Sequence, residues 1–237
     1  MYLNVRKCGQ IKLIMKNKVF IACDTTKISK IKKILNETNS DKLKIGYKFG
    51  LEFLNSKNGR RFVSKLKNKI TFGDYKFCDI PNTCSSAVKA IRDLKFNYIT
   101  IHISSGLEAL KAAKKVSGQT KLVGVSILTS LDNKTLRQIG FNKDVKKVVL
   151  HQAKLAHKAK LDAIVCSARE VEIVKKEFKK EIITPGIRLN SKIDDQKRIL
   201  SPNEAFGNGA DWLVIGRNIT KGNIKNNIQK LINHLYK

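Results

Sequence analysis

The sequence predicts an α/β protein, a parallel (β/α)8 barrel of the TIM type. Three observations carry that expectation. Eight short apolar runs recur along the chain, each nearly continuous, as strands buried on both faces are. Segments with helical spacing of apolar residues separate them, the alternation of a parallel sheet. The length of 237 residues suits one such barrel, typically about 250 residues. Residues 15–237 are expected to form that single barrel. Residues 1–14 read as a basic extension of uncertain structure, and Met15 is a second possible start.

The first strand is Val19-Phe20-Ile21-Ala22-Cys23, ending in Asp24, and the helix after it spans 27–35 through Ile28, Ile31, Ile34 and Leu35. Leu43-Lys44-Ile45-Gly46 is the second strand, with a lysine in a buried setting, and one helix is expected over 51–66. The third strand runs from Lys69 to Phe77; Pro81, with no N–H to give, keeps the ladder from continuing. A helix over 85–94 follows, with Asn82 or Thr83 near its N-cap. The fourth strand is Tyr98 to Ile103, with a helix over 107–116, and the fifth is Leu122 to Leu128. After it come a polar turn at 129–133 and helical segments to Lys160. The sixth strand is 162–166, with a helix over 168–178. The seventh is 182–187. The eighth is 212–217, with a closing helix over 224–235.

Composition narrows the function classes. A hydrophobic fraction of 42% supports a real core, and no run approaches the roughly 20 apolar residues of a membrane span. No secretory signal is read in residues 1–18. The five cysteines are scattered without a CxxC pair, so zinc and redox motifs are unsupported and a reducing cytoplasm fits. The net charge of +29 would suit nucleic acid. Its cations are spread along the chain, however, and 39 of the 48 are lysine, whereas base-reading interfaces favour arginine. The charge therefore reads as codon bias toward A and T on solvated positions. No specific nucleic acid is expected, although the field would steer anionic small molecules inward.

Active sites of such barrels lie at the C-terminal strand ends. The polar residues there are Asp24, Lys44, Asp74, Lys76, Asp79, His102, Thr129, Ser167, Arg188 and Gly216-Arg217. Asp74 and Lys76, two residues apart, share a strand face. A buried carboxylate–ammonium–carboxylate set is costly unless the charges pair. Gly216 lets backbone N–H groups approach an anion, and Arg217 and Arg188 can fork onto phosphate oxygens. Loops seven and eight are the usual phosphate site of these barrels, and Gln196 could reach the phosphate from the polar stretch 189–195.

The segment Asp74-Tyr75-Lys76-Phe77-Cys78-Asp79-Ile80-Pro81-Asn82-Thr83 resembles the DxKxxDIPNT motif of the orotidine 5′-phosphate decarboxylase family. Leu43-Lys44-Ile45-Gly46, Leu128-Thr129-Ser130, Thr184-Pro185-Gly186-Ile187-Arg188, Asp195-Gln196-Lys197-Arg198 and Ile215-Gly216-Arg217 follow in the family's order. The resemblance covers about residues 19–222. It implies that Asp24 binds the ribose and that Lys44, Asp74 and Lys76 form a charged array with Asp79. In the family that last aspartate and Thr83 come from the partner subunit, which implies a homodimer. Thr129 would contact the pyrimidine; Arg188, Gln196, Gly216 and Arg217 would hold the phosphate. The sequence departs from the family's pattern at Cys23 and Cys78, and its phosphate loop lacks the glycines often found there.

The implied reaction is decarboxylation of orotidine 5′-phosphate to uridine 5′-phosphate in pyrimidine biosynthesis, with no cofactor or metal expected. Loss of CO₂ leaves a carbanion at C6 without a conjugated electron sink. Fixed charge must favour it, and Lys76 is suited to stabilise and then protonate it. Two other readings are a Mg²⁺-dependent sugar-phosphate decarboxylase or aldolase of the same suprafamily, and a basic nucleic-acid-binding barrel.

Overall fold

The computed structural model describes residues 16–189 and 200–236. The expected extension over 1–14 lies outside them. Eight parallel strands close a barrel in sequence order: β1 (Asn17–Ala22), β2 (Leu43–Phe49), β3 (Ile70–Phe77), β4 (Tyr98–His102), β5 (Lys121–Val125), β6 (Ala163–Val165), β7 (Glu181–Thr184) and β8 (Trp212–Ile215), with β8 paired back to β1. The predicted fold class is the observed one.

Helices cover the outside, each through a narrow apolar stripe. On α1 (Ile28–Glu37) the buried stripe is Ile31, Ile34 and Leu35. On α11 (Ile224–Leu235) it is Ile224, Ile228, Leu231 and Ile232. Between them come α2 (Leu51–Leu54), α3 (Gly59–Ser64), α4 (Pro81–Ala90), α5 (Leu107–Val116), α6 (Asn133–Gln138), α7 (Val145–Lys158), α8 (Val171–Glu177), α9 (Pro202–Gly207) and α10 (Arg217–Thr220). No helix among the described residues is long and apolar enough to cross a membrane.

Several elements differ from the sequence reading. The helix expected over 85–94 begins at Pro81, with Ile80 as its N-cap instead of Asn82 or Thr83, because proline's fixed φ suits the first helical position. The expected helix over 51–66 is two short helices, because the chain folds back on itself at Gly59; a Cβ there would lie 2.0 Å from the Phe53 carbonyl oxygen. The fifth strand stops at Val125, and Ser126 turns to hydrogen-bond the Val165 carbonyl through its N–H at 3.1 Å and its hydroxyl at 2.7 Å. The second strand does not stop at Gly46 but continues to Phe49. Gly46 is a place of close approach, since a Cβ would meet the Phe20 ring at 2.6 Å.

Inside the barrel, alternate strand residues pack into one apolar plug that includes Phe20, Phe72, Tyr98, Val123, Ile183 and Trp212. Phe20 stacks on Trp212 at 4.1 Å between centroids and meets Phe72 and Tyr98 at 5.0 and 5.3 Å. The N-terminal mouth below is closed by Glu181. Its carboxylate accepts from Lys121 Nζ at 2.7 Å, Tyr98 Oη at 2.9 Å, Lys18 Nζ at 3.3 Å and Trp212 Nε1 at 3.4 Å. Burial alone would raise the Glu181 pKa, but these donors outweigh it and hold it below the ordinary value. Glu181→Gln removes the charge that four donors converge on. It is expected to lower stability by about 1–3 kcal/mol, read as a lower urea midpoint with an unchanged slope.

Candidate active site

At the opposite, C-terminal rim lies a cavity of about 400 Å³. Asp24 and Lys48 line one side with Asp74 and Lys76; Thr129 and Ser130 come from the loop after β5; Pro185, Gly186, Arg188, Gly216 and Arg217 come from the ends of β7 and β8. Seven of the sequence-predicted residues therefore share one cavity: Asp24, Asp74, Lys76, Thr129, Arg188, Gly216 and Arg217.

The charges on the β1–β3 side alternate. Lys48 Nζ lies 3.3 Å from Asp24 Oδ1 and 3.3 Å from Asp74 Oδ2, and Lys76 Nζ lies 2.7 Å from the same Asp74 Oδ2. Two lysines on one buried carboxylate oxygen satisfy the pairing that burial demands. Burial alone would raise the Asp74 pKa, but Lys48 and Lys76 outweigh it and hold it below the ordinary carboxylate value. Burial would likewise depress Lys48, but Asp74 and Asp24 lift it above the ordinary lysine value. Asp74 thus contributes stability above the ordinary carboxylate pKa, lost as pH falls through its depressed value. Lys48 contributes below the ordinary lysine pKa, and that contribution is lost as pH rises through its raised value.

The sequence reading placed Lys44 in this array, and the structure corrects it to Lys48. Lys44 sits near the start of β2, paired in register with Lys18 and exposed to solvent at the floor end. Lys48 is four residues further on, about 13 Å along the strand, in register with Ala22 at the cavity. Reading Gly46 as the strand's end hid it. A strand of ordinary length through Tyr47 and Phe49 would have carried the lysine to the rim.

Lys76 does not lie on a regular strand. The β3–β4 register shifts between Gly73 and Phe77, and Lys76 has φ of +52°. A left-handed backbone at a lysine costs on the order of 1–3 kcal/mol, and such positions cluster at functional sites. The bulge turns the Lys76 N–H away from the ladder to the Thr100 hydroxyl at 2.7 Å, and that hydroxyl donates to Asp74 Oδ1 at 3.1 Å. The sequence reading missed Thr100, whose only signal was its place two residues before His102 on an otherwise apolar strand. His102 ends β4, half-buried; burial first, then the Lys76 ammonium, lower its pKa against the pull of Asp74, which favours the neutral ring.

The β7–β8 rim of the cavity, next to β1, is cationic and rich in backbone turns. Gly186 has φ of +78°, which lets the chain turn from Pro185 toward Arg188. Arg188 donates its N–H to the Leu200 carbonyl at 3.1 Å, and Ile187 bridges to Leu200, tying together the two ends that flank residues 190–199. Gly216 precedes α10, and a Cβ on it would stand 3.5 Å from that of Ala22. Asp79 and Thr83 are exposed and line no part of this cavity. Asp79 instead accepts the Ile80 N–H at 2.7 Å. Gln196 lies outside the described residues.

An acidic–basic array and two arginines line one pocket sized for a small anionic molecule. Known proteins share this arrangement of chain. The model of the orotidine 5′-phosphate decarboxylase / HUMPS family matches residues 17–229. The chain is 43% identical over 222 residues to the orotidine 5′-phosphate decarboxylase of Wolbachia sp. subsp. Brugia malayi (strain TRS), covering 91% of this chain and 97% of that protein. To that of Prochlorococcus marinus (strain AS9601) it is 42% identical over 220 residues, 86% of this chain and 89% of that one. The crystal structure of orotidine 5′-phosphate decarboxylase from Lactobacillus acidophilus superposes with a TM-score of 0.78 at 27% identity, covering 94% of this chain and all of that one.

Proposed function

The chain belongs to the orotidine 5′-phosphate decarboxylase / HUMPS family, and on that premise we propose that residues 15–237 act as one catalytic domain that decarboxylates orotidine 5′-phosphate to uridine 5′-phosphate in pyrimidine biosynthesis. The observation that carries the proposal is the Asp24–Lys48–Asp74–Lys76 array beside the arginine pair. Both cavity carboxylates of the array already have lysine partners, which favours an electrostatic site over a Mg²⁺ site built on the same acids.

Arg188, Arg217 and the backbone at Gly216 hold the phosphate, with Gln196 joining them. Asp24 and Lys48 take the ribose hydroxyls, and Thr129 meets the pyrimidine edge. The C6–carboxylate bond then breaks and its electron pair stays on C6. The Lys76 ammonium, held in charged form by Asp74, stabilises that pair and transfers a proton to form the C6–H bond; solvent re-protonates the amine. Phosphate binding, remote from the reacting bond, supplies energy realised at the transition state.

The working unit is a homodimer, in which Asp79 and Thr83 complete the partner's site. The exposure of both, and of Ile80 beside them at 66%, supports this assignment. Mixing Lys76→Ala with Asp79→Ala is then expected to restore activity that neither has alone. Random reassortment gives about a quarter of the native sites; no recovery after exchange of subunits would place Asp79 in its own site. Free thiols at Cys23, Cys78 and Cys84 support a cytoplasmic location.

The test of the reaction is loss of orotidine 5′-phosphate absorbance on adding purified protein, with and without EDTA. Turnover in EDTA is expected. A strict Mg²⁺ requirement, or no turnover, would overturn the assignment.

A further inference from the structure

We propose that Thr100 is a positioning residue, a hydroxyl clamp on β4 that sets both the Asp74 carboxylate and the Lys76 backbone; the inference rests on the decarboxylase reading above. Thr100 is fully buried, and its inward-facing neighbours on adjoining strands include Phe72 and Val123. A buried hydroxyl is costly unless it is hydrogen-bonded, and Thr100 has two partners, Asp74 and the Lys76 N–H.

The hydrogen positions follow from what each partner can do. The Lys76 N–H can only donate, so it takes a lone pair of Thr100 Oγ1, at 2.7 Å. The ionised Asp74 carboxylate can only accept, so the Thr100 hydrogen must point to Oδ1, at 3.1 Å. One hydroxyl therefore fixes two things. It occupies Oδ1, which leaves Oδ2 to Lys48 and Lys76. It also receives the amide that the register shift frees from the ladder, holding Lys76 at φ of +52°.

Without the hydroxyl, the carboxylate is free to rotate about its broad χ2 well and the bulge can relax toward ordinary strand. Either change moves the Lys76 ammonium relative to C6. A displacement of about 1 Å at a reacting group can cost on the order of 100-fold in rate. Thr100 lines no part of the cavity, so binding of the phosphate and ribose should be unaffected.

The test compares Thr100→Val, Thr100→Cys and Thr100→Ser with the native chain, reading kcat, KM for orotidine 5′-phosphate and hydrogen exchange at the Lys76 amide. Thr100→Val is expected to lower kcat about 10–100-fold, to leave KM within about threefold, and to speed Lys76 exchange at least about tenfold. Thr100→Ser should recover most of both losses, and Thr100→Cys, a weak donor, should lie between. A merely structural role would lower the melting temperature without this split. Native kcat and native Lys76 exchange in Thr100→Val would overturn the clamp. Where Thr100→Val does not fold, native values in Thr100→Cys would do the same. If the native chain fails to turn over orotidine 5′-phosphate, the decarboxylase reading falls, while Lys76 exchange still decides whether the clamp exists.

Discussion

Lys76→Ala is expected to abolish decarboxylation while leaving a folded barrel. The ammonium is asked to do two jobs at C6, to offset negative charge as it develops and to supply the proton. Removing one electrostatic donor costs on the order of 10²–10³ in rate, and a general acid about 10²–10⁴. Their combined loss should exceed about 10⁴-fold, some 5.5 kcal/mol of barrel-rim electrostatics. The fold should tolerate the change, because Asp74 keeps Lys48 at 3.3 Å and Thr100 at 3.1 Å. Circular dichroism and a denaturation midpoint close to native would show this. Lys76→Gly would be equally inactive and at least as stable, since glycine adopts φ of +52° without strain. Near-native turnover by either variant would remove Lys76 from the chemistry.

Lys48→Ala is expected to damage both activity and stability, whereas Lys44→Ala should do neither. Lys48 stands between Asp24 and Asp74. Without it the buried Asp74 keeps Lys76 as its one cation beside the Thr100 hydroxyl, and the cation that separates two carboxylates is gone. Truncating one partner of a buried ion pair costs about 3–5 kcal/mol when no other cation remains, so about 2–4 kcal/mol is expected here. Turnover should fall about 10²–10³-fold, because Lys76 would then be shared between competing acids. Lys44 is exposed at the floor of the barrel, and its replacement should change stability by no more than about 0.5 kcal/mol. Urea midpoints and kcat/KM for the two variants separate these positions directly.

The contrast between those lysines shows where the sequence was legible. Continuous apolar runs such as Val19 to Ala22 and Trp212 to Ile215 announced doubly buried strands, and the closed order of eight followed from them. Site residues in the loops beyond the strands, such as Asp24, Thr129, Arg188 and Arg217, were readable because the apolar runs located those loops to within a few residues, although β5, β7 and β8 stop at Val125, Thr184 and Ile215. Lys48 was not, because Gly46 looked like a terminator when it is a gap that the Phe20 ring fills. The Lys76 bulge was also hidden. A period of two predicts that Asp74 and Lys76 share a face, and they do meet at 2.7 Å. They meet through a register shift and a left-handed residue that only the neighbouring strand could impose. Thr100 could not be read from its own strand, since its meaning depends on what β3 does beside it. The helix over 51–66 failed for the same kind of reason: the Gly59–Phe53 contact is tertiary, and local periodicity does not carry it.

The most direct test of the account is the fate of C6. Orotidine 5′-phosphate incubated in D₂O with the EDTA-treated native chain should yield uridine 5′-phosphate carrying deuterium at C6, seen by NMR as loss of the C6 proton signal and collapse of the C5 doublet. Lys76→Ala should give no product on the same timescale. Product formed at comparable rates without Lys76, or no product from the native chain, would contradict it.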